Sequence, residues 1–416
     1  MKLLTNILSL CRSEKFWVLT DQMMVSGVSF ISTILVARQL SVQQFGLFAA
    51  VILAQLLILA VQNALIMGPY QVLQAEYKSR DPYLDSLFIL QIGFAGVIVL
   101  AGLLIFYVHF SWIQSLWPAR WWILLATGGF LMQDFLRRVL LAGENAKKAF
   151  GIDAVTNLLQ VAVLLYLIAV HRLDFVNCWM AIGLTFIPSI LLGYCFLPIR
   201  VVNRSYILIT IRQHFIHGKW LLLTALLQWW AGNVFIVAAG LLLGVVAFGA
   251  LRLAQNIFGT LNVLLQAFEN YVLPRSARVY KYSRGRLKIY LKRVSVRSAL
   301  FFVPVLVLIV VFARPIFLLA GGQRYLPYYN ILRWLSVLYL FIFLGYPIRI
   351  AIRVLLLNRM FFTGYLLSAG FGCVVARQFI GWWGVNGVIT GLVFSQLLMI
   401  SYWLLSLQKK KLLLWK

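Results

Sequence analysis

Hydrophobic residues occur along the chain in runs of about 20, separated by short polar stretches rich in lysine and arginine. A run of this length suits a helix that crosses a hydrocarbon core of roughly 30 Å at about 1.5 Å per residue. Membrane strands would instead show segments of about ten residues that alternate between apolar and polar side chains. The pattern predicts an all-α, polytopic membrane protein with about twelve spans, at residues 15–37, 45–67, 86–108, 119–142, 150–170, 175–198, 218–243, 246–271, 298–320, 329–356, 360–379 and 384–407.

The composition supports this prediction. Hydrophobic residues make up 63% of the 416 and charged residues 11%, whereas an average soluble domain has roughly 45–50% apolar and about 25% charged residues. A water-soluble globular enzyme is therefore excluded. We expect the first apolar stretch to be a span rather than a cleaved signal peptide, because it carries Asp21 and lacks a small-x-small cleavage site.

Basic residues are concentrated on one side of the predicted spans. On this assignment 29 of the 37 lysines and arginines lie in the segments of one side. Positively charged loops stay on the cytoplasmic side, so we expect a bacterial inner-membrane protein with both termini in the cytoplasm. Topology and anionic headgroups account for the net charge of +27 without a nucleic acid partner. The longest basic stretch, 274–297, is expected to be a solvated linker that touches lipid, or alternatively an interfacial amphipathic helix.

An internal repeat divides the chain. Leu40–Gly46, between predicted spans 1 and 2, resembles Leu243–Gly249, between spans 7 and 8, at an offset of 203 residues. A second match pairs 138–141 with 353–356, at the ends of spans 4 and 10. Because six spans bring the chain back to the same side, both halves have the same orientation. We predict two pseudo-symmetric six-helix lobes, 1–213 and 214–416, around a central cavity.

Polar side chains inside predicted spans are costly unless they face a partner or water. Those of span 8 fall within an arc of about 100° and form one wall of a polar lumen: Arg252, Gln255, Asn262, Gln266 and Glu269. A similar stripe on span 1 comprises Gln22, Ser26, Ser29 and Thr33. The small polar residues of span 1 fit hydrogen bonding between packed helices equally well.

Arginines within the spans point to an anionic substrate. We expect Arg252 and Arg333 to line the cavity and to bind substrate together with Gln255, Asn262 and Gln266, because a planar guanidinium suits phosphate oxygens. Arg38 at the outer rim and Arg349 near the inner mouth complete the predicted substrate-binding set. For Arg38, snorkelling of the long side chain to lipid headgroups is the alternative.

Three carboxylates within the predicted spans are candidates for ion coupling. Asp134 precedes Arg137 and Arg138 by three and four residues, the spacing of an ion pair within one helix. Asp21 and Glu269 have no cation at such a spacing, so the sequence predicts that they exchange protons or bind a cation such as H+ or Na+. Asp134 is a weaker choice for the same role, because neutralisation by its neighbours explains it.

Catalytic signatures are missing from the sequence. The four histidines, His109, His171, His214 and His217, all fall in predicted loops, and the four cysteines lack the spacing of a metal site or disulfide framework. No motif of a protease, esterase or nucleotide-binding enzyme is present. We expect no enzyme activity, no catalytic residue, no metal and no bound cofactor.

Three segments resemble the polysaccharide transporter (O-antigen flippase) family, within the superfamily that includes multidrug and toxin extruders and lipid II flippases. They are ILVARQLSVQQFGLFA (34–49), RRVLLAGENAKKAF (137–150) and VLPRSARVYKYSRG (272–285). The resemblance implies an alternating-access carrier that turns an undecaprenyl-diphosphate-linked oligosaccharide from the cytoplasmic to the outer leaflet. Its implied partners are this lipid-linked oligosaccharide and membrane lipids, with a polysaccharide polymerase and glycosyltransferases beside them.

Two alternatives stay open from the sequence. A cation-coupled multidrug antiporter would have the same number of spans, although it should prefer an acidic or aromatic lumen. A membrane scaffold of a polysaccharide synthesis complex would have no transport cycle at all.

Overall fold

The computed structural model describes residues 14–74, 82–108, 111–197 and 204–409, and the regular secondary structure in these ranges is helical. The helices of the first half are α1 (Glu14–Gln39), α2 (Val42–Gln62), α3 (Gly68–Leu73), α4 (Pro82–Phe106), α5 (Ser111–Gln114), α6 (Arg120–Ala142), α7 (Ala146–Ala169), α8 (Phe175–Phe196) and α9 (Arg204–Leu242). Those of the second half are α10 (Val245–Tyr282), α11 (Arg284–Val311), α12 (Ala313–Gly321), α13 (Asn330–Val354) and α14 (Asn358–Lys409). A π-helical turn, Asn63–Met67, joins α2 to α3, and 3-10 turns occur at Trp117–Ala119 and Gln323–Tyr328.

Nine helical segments within these described ranges are long and apolar enough to cross a membrane. The helices α6 and α10 have the length too, but they carry charged and amide side chains. Gly384, with φ 55° and ψ −129°, divides α14 into two helical parts. Within the described residues, each of the twelve predicted spans is helical over most of its length, and the predicted all-α membrane class is confirmed.

The chain forms two compact units, Met1–Leu226 and Leu227–Lys416, whose boundary lies inside α9. The predicted lobes, 1–213 and 214–416, stay a prediction. The two segments of the predicted repeat occupy equivalent local positions, since each begins a helix. Ser41 caps α2, with its side chain accepting from the Gln44 amide at 3.2 Å, and Gly244 precedes α10 with φ 85°, a conformation that glycine adopts without a Cβ clash.

The N-terminal unit is built around α6. This helix contacts α4, α7 and α8, and α1 packs along α7. The core between α4 and α6 includes the fully buried Leu87, Phe135 and Leu136. The helices α6 and α8 approach closely at Gly129, where a Cβ would lie 2.7 Å from the Cβ of Phe186. Small residues permit such close helix crossings in membranes.

The C-terminal unit is built around α13, which contacts α10, α11 and α14. Its apolar core near the end of α13 joins Val272 of α10 and Leu287 and Leu291 of α11 to Ile350 and Ala351. A second cluster surrounds Trp403, whose indole nitrogen donates to the carbonyl of Met360 at 3.1 Å. These contacts fix the ends of α10 and α13 that carry charged side chains.

Two charged segments that we expected to be loops are helical. The helix α9 begins at Arg204 rather than near residue 218. The basic stretch 274–297 is no linker, because α10 continues to Tyr282 and α11 begins at Arg284, with a single extended residue, Ser283, between them. In 274–297 the buried Leu287 and Leu291 face the bundle and the exposed cations face outward, whereas in the first part of α9 the buried residues are Thr210 and His214. A hydropathy pattern alone scores such cation-rich helical turns as loops.

Candidate functional site

A buried ion-pair cluster in the N-terminal unit connects α1, α6 and α7. The guanidinium of Arg137 lies between two carboxylates: its Nη2 is 2.6 Å from Oδ2 of Asp21, and its Nε is 2.7 Å from Oδ2 of Asp153. Asp21 is 0% exposed and Asp153 is 2% exposed. Two carboxylates thus share one cation, which leaves one formal negative charge within the trio when both are ionised.

Polar side chains surround this trio. Gln133 donates to Oδ1 of Asp153 at 2.8 Å, and Thr156 donates to the Gln133 side-chain oxygen at 2.9 Å. In contrast, Oδ1 of Asp21 is buried and has no hydrogen-bond partner among the described residues. The cluster therefore contains an open acceptor position in a place that water reaches poorly.

Asp21 has no cation at ion-pair spacing on its own helix, but it is paired with a cation of another helix. Its partner is Arg137, which lies 116 residues further along the chain and on another helix, so spacing within α1 cannot reveal it. The ion pair predicted within α6 is confirmed for Arg138, whose Nε is 2.8 Å from Oδ2 of Asp134. Gln62 of α2 also approaches that oxygen, at 3.5 Å. Asp134 thus has ordinary structural partners.

The polar stripe on α10 is only half buried. Arg252 donates from Nη1 to Oε1 of Gln255 at 2.9 Å, one turn further along α10. Asn262 is exposed and donates to the Tyr339 hydroxyl of α13 at 2.7 Å, and Gln266 is exposed as well. Within the described part of the chain, Arg252 has no carboxylate at ion-pair distance.

The other predicted cavity arginines lie at helix ends. Arg333 is exposed in the first turn of α13, where Nε donates to the carbonyl of Val310 and Nη1 to Oδ1 of Asn330, both at 3.3 Å. Its guanidinium also lies 5.1 Å from the centre of the Tyr329 ring. Arg38 is exposed in the last turn of α1. These positions are compatible with substrate contact and with snorkelling to headgroups.

Glu269 likewise has no cation at ion-pair spacing on α10, but it is paired with two arginines of another helix. Arg353 of α13 donates from Nη1 to its Oε1, and Nη2 of Arg349 lies 3.7 Å from its Oε2. The carboxylate side chain is 8% exposed, whereas the side chains of Arg349 and Arg353 are 30% and 43% exposed. Two arginines one helical turn apart therefore share one buried acid.

Comparisons with known proteins identify the family. A family model described as "Polysaccharide biosynthesis protein" matches residues 35–330, which is most of the chain. The chain belongs to this family. No curated protein matches the sequence, but several solved structures share the fold at low identity.

Three of these structures are transporters. An inward-facing multidrug resistance MATE family transporter of the MOP superfamily has a TM-score of 0.76 at 14% identity, with 94% of this chain and 95% of that chain covered. The lipid II flippase MurJ in an inward closed conformation has a TM-score of 0.68 at 14% identity, covering 95% and 87%. A MOP superfamily transporter from Pyrococcus furiosus has a TM-score of 0.65 at 14% identity, covering 96% and 97%. This polysaccharide biosynthesis protein therefore has the MOP-superfamily fold, as the sequence resemblance predicts.

Sequence reasoning did not single out two members of these clusters, Asp153 and Arg353. A usable signal was present for Asp153: it is a carboxylate inside a predicted span without a cation three or four residues away. Such a residue requires a partner on another helix. Arg353 lies near the end of α13, and its pairing with Glu269 spans 84 residues, so spacing along the chain does not reveal it.

Two of the four histidines differ from the prediction that they lie in loops. His171 lies in a turn with φ 53°, and His109 lies outside the described residues. His214 and His217, however, are helical residues of α9. His214 is 2% exposed, with Nδ1 3.0 Å from the carbonyl oxygen of Leu65 and Nε2 2.8 Å from the Tyr83 hydroxyl. These two hydrogen-bond partners indicate a structural role for His214.

Proposed function

We propose that this polysaccharide biosynthesis protein is an alternating-access transporter in the bacterial inner membrane. Its substrate would be an undecaprenyl-diphosphate-linked oligosaccharide, moved from the cytoplasmic to the outer leaflet. The family match and the fold shared with a lipid II flippase support a membrane transporter of lipid-linked substrates. Both termini would be cytoplasmic, and a polymerase and glycosyltransferases would act beside it.

The main support for an anionic substrate is the charge of Arg252, which no carboxylate of the described residues neutralises. Residues 227–416 contain 21 lysines and arginines but a single acidic residue, Glu269. Because Glu269 is engaged by Arg349 and Arg353, the C-terminal unit offers no further carboxylate to Arg252. A charge at mid-helix costs about 2.5–3.5 kcal/mol on insertion scales, so it is retained where water or an anionic ligand reaches it.

The charge of the substrate separates this proposal from the multidrug antiporter. Cationic drugs would be repelled by a unit with one carboxylate among 21 basic residues. A diphosphate would instead be attracted and would fit the planar donor fork of arginine. The polar side chains near Arg252, namely Gln255, Asn262 and Gln266, provide hydrogen bonds for sugar hydroxyls or phosphate oxygens.

We further propose that Asp21, Asp153 and Arg137 couple transport to an ion gradient. With two carboxylates and one guanidinium, binding of a proton or Na+ neutralises the trio. Release of that ion would leave a buried net charge, which favours a rearrangement of α1 against α6 and α7. Glu269, which already has two cations, is a weaker choice for this role.

Complementation of a deletion strain tests the proposed function. Cells without the protein should accumulate lipid-linked repeat units in the cytoplasmic leaflet and lose surface polysaccharide. The wild-type chain should restore surface glycan, Arg252→Ala should not, and the exposed Arg359→Gln should restore it, at equal abundance in the membrane. Surface glycan in the Arg252→Ala strain at the wild-type level would contradict the cationic substrate site, and unaltered glycan in the deletion strain would favour a protein that transports nothing.

A further inference from the structure

Arg349 and Arg353 of α13 form a pair of cations that a single carboxylate neutralises only in part. The two residues are four apart, so they lie on one face of the helix. With Glu269 of α10 they carry one net positive charge. Residues 227–416 contain no other acidic side chain, so the C-terminal unit itself has nothing that removes this charge.

Most donor groups of the pair are unused. Arg353 donates one hydrogen bond, from Nη1 to Glu269. Arg349 approaches Glu269 at 3.7 Å, which is too long for a hydrogen bond, and its buried Nε has no partner among the described residues. An arginine has five N–H groups, so the two side chains retain several donors for an outside acceptor.

The exposed fractions of the three side chains show where such an acceptor can reach the arginines. Glu269 is nearly buried beneath the pair, while Arg349 and Arg353 keep 30% and 43% of their side chains accessible. Glu269 is therefore covered by the helix bundle, whereas part of each arginine side chain stays accessible from outside it. A ligand can reach the arginines without crossing the core.

Nearby charges favour an anion at this place. The helical hairpin formed by the end of α10 and the start of α11 packs on α13 through Leu287, Leu291 and Ile350. Exposed cations of this hairpin include Arg275, Arg278, Lys281, Arg286, Lys292 and Arg293. Their combined field raises the local concentration of anions. Phosphate matches two neighbouring guanidinium forks better than a carboxylate, because it offers more acceptor oxygens and more negative charge.

We propose that Arg349 and Arg353 bind a phosphate group carried on a lipid, and that Glu269 is an internal competitor that holds the arginines when no phosphate is present. Binding transfers the guanidinium hydrogen bonds from the carboxylate to the phosphate oxygens. The diphosphate of the transported glycolipid is one source of this group, and that assignment rests on the proposed function. The headgroup of an anionic phospholipid is the other source.

Binding of radiolabelled undecaprenyl diphosphate to the purified full chain in a neutral detergent tests the proposal. Arg353→Gln should weaken binding by roughly tenfold, since it removes a charge-assisted donor pair. Glu269→Gln should tighten binding by roughly threefold or more, since it removes the competitor. Two matched controls should change affinity by less than about twofold, because each changes the charge by the same amount at an exposed position: Arg359→Gln and Gln408→Lys.

A double-mutant cycle keeps the test decisive even where one variant is unstable. In the Arg349→Gln, Arg353→Gln background, Glu269→Gln should no longer tighten binding, because no arginine remains to be released. Unchanged or weaker binding by Glu269→Gln in the native background would overturn the proposal. Equal binding of undecaprenol, which lacks phosphate, would overturn it too.

Competition by phosphatidylglycerol distinguishes the two sources of phosphate. Displacement of the label at equal mole fraction assigns the site to lipid headgroups in general, whereas retention of the label assigns it to the diphosphate carrier. This outcome is independent of transport. If Arg252→Ala abolishes export while the Glu269 and Arg353 variants bind as wild type does, only the present inference falls, and the proposed function stands.

Discussion

Arg137 carries two buried carboxylates, Asp21 and Asp153, and so links three helices of the N-terminal unit. Charges taken out of water are costly unless they are paired, and the removal of one partner leaves the others uncompensated. The neighbouring Arg138 has a different environment. Its side chain is 30% exposed, and its partner Asp134 lies on the same helix. We therefore expect Arg137 to contribute more than Arg138 to the free energy of unfolding.

We predict that Arg137→Gln lowers the free energy of unfolding by about 3–5 kcal/mol, because it leaves Asp21 and Asp153 buried without a cation. The matched control Arg138→Gln should cost less, because the Arg138 side chain is 30% exposed and its loss leaves one carboxylate, Asp134, rather than two without a cation. Thermal unfolding of both purified variants in the same detergent measures the difference. Equal losses would show that the shared ion pair is not the main stabilising contact of Arg137.

We also predict that Asp153→Asn and Asp21→Asn each weaken the dependence of transport on an imposed proton or Na+ gradient. Either change removes one of the two acids that share Arg137, so the trio becomes neutral without an added ion. The measurement is initial transport rate with and without the gradient. Asp174→Asn, at the exposed cap of α8, should keep the wild-type dependence, and an unaltered response in the two cluster variants would remove these residues as coupling sites.

At the scale of elements, close helix crossings depend on particular glycines. Gly128 and Gly129 are neighbours on α6, yet only Gly129 faces α8, where a Cβ would overlap Phe186. At Gly128 the nearest atom is Cγ2 of Val99, at an ordinary 3.7 Å. Gly129 thus permits the close approach of α6 and α8, whereas the preceding Gly128 does not limit it.

We predict that Gly129→Ala destabilises the N-terminal unit by about 1–3 kcal/mol through overpacking against Phe186. Gly128→Ala should be neutral or should stabilise the helix by up to about 1 kcal/mol, because alanine has the higher helix propensity. Thermal unfolding in detergent compares the pair. A loss for Gly128→Ala as large as that for Gly129→Ala would contradict the crossing geometry.

The N-terminal part of α9 depends on His214. Pro69 has no N–H to donate to the carbonyl of Leu65, four residues earlier, and the ring of His214 supplies a donor to that carbonyl instead. Because a carbonyl oxygen only accepts, Nδ1 carries the hydrogen and Nε2 accepts from Tyr83. The π-helical turn after α2 thus has a fixed partner in α9.

We predict that His214→Ala accelerates amide hydrogen exchange at residues 204–217 by roughly tenfold, since about one to two hydrogen bonds to the unit are lost. The exposed His217→Ala lies on the same helix and should leave exchange near the wild-type rate. Hydrogen exchange followed by mass spectrometry reads this segment separately from the rest of α9. Similar rates in all three proteins would show that His214 does not hold the segment in place.

The elements themselves were largely predictable from hydropathy, because each membrane span repeats an apolar pattern over about 20 residues. The ends of α9, α10 and α11 were not, since their helical turns carry cations that resemble loop residues. Polar side chains were recognised as important where they interrupt apolar runs, as at Asp21, Arg252 and Glu269. Their partners could not be predicted, because Arg137 and Arg353 belong to other helices and only packing brings them near.

At the scale of the whole molecule, charge is divided unequally between the two units. Residues 1–226 contain nine of the ten acidic residues, and residues 227–416 contain one. The acid pair that could respond to an ion gradient thus belongs to the N-terminal unit, and the excess of arginine belongs to the C-terminal unit. This division matches a carrier in which one unit responds to the ion and the other contacts an anionic substrate.

Transport in proteoliposomes tests the central claim most directly. The purified chain is reconstituted into vesicles that hold a fluorescent undecaprenyl-diphosphate oligosaccharide, and the fraction of label accessible to an impermeant quencher is followed over time. The account predicts that the wild-type chain equilibrates the label across the two leaflets, that Arg252→Ala slows this by at least about tenfold, and that the exposed control Arg359→Gln does not. Label that stays in its original leaflet with the wild-type chain, or that moves equally fast with Arg252→Ala, would contradict the account.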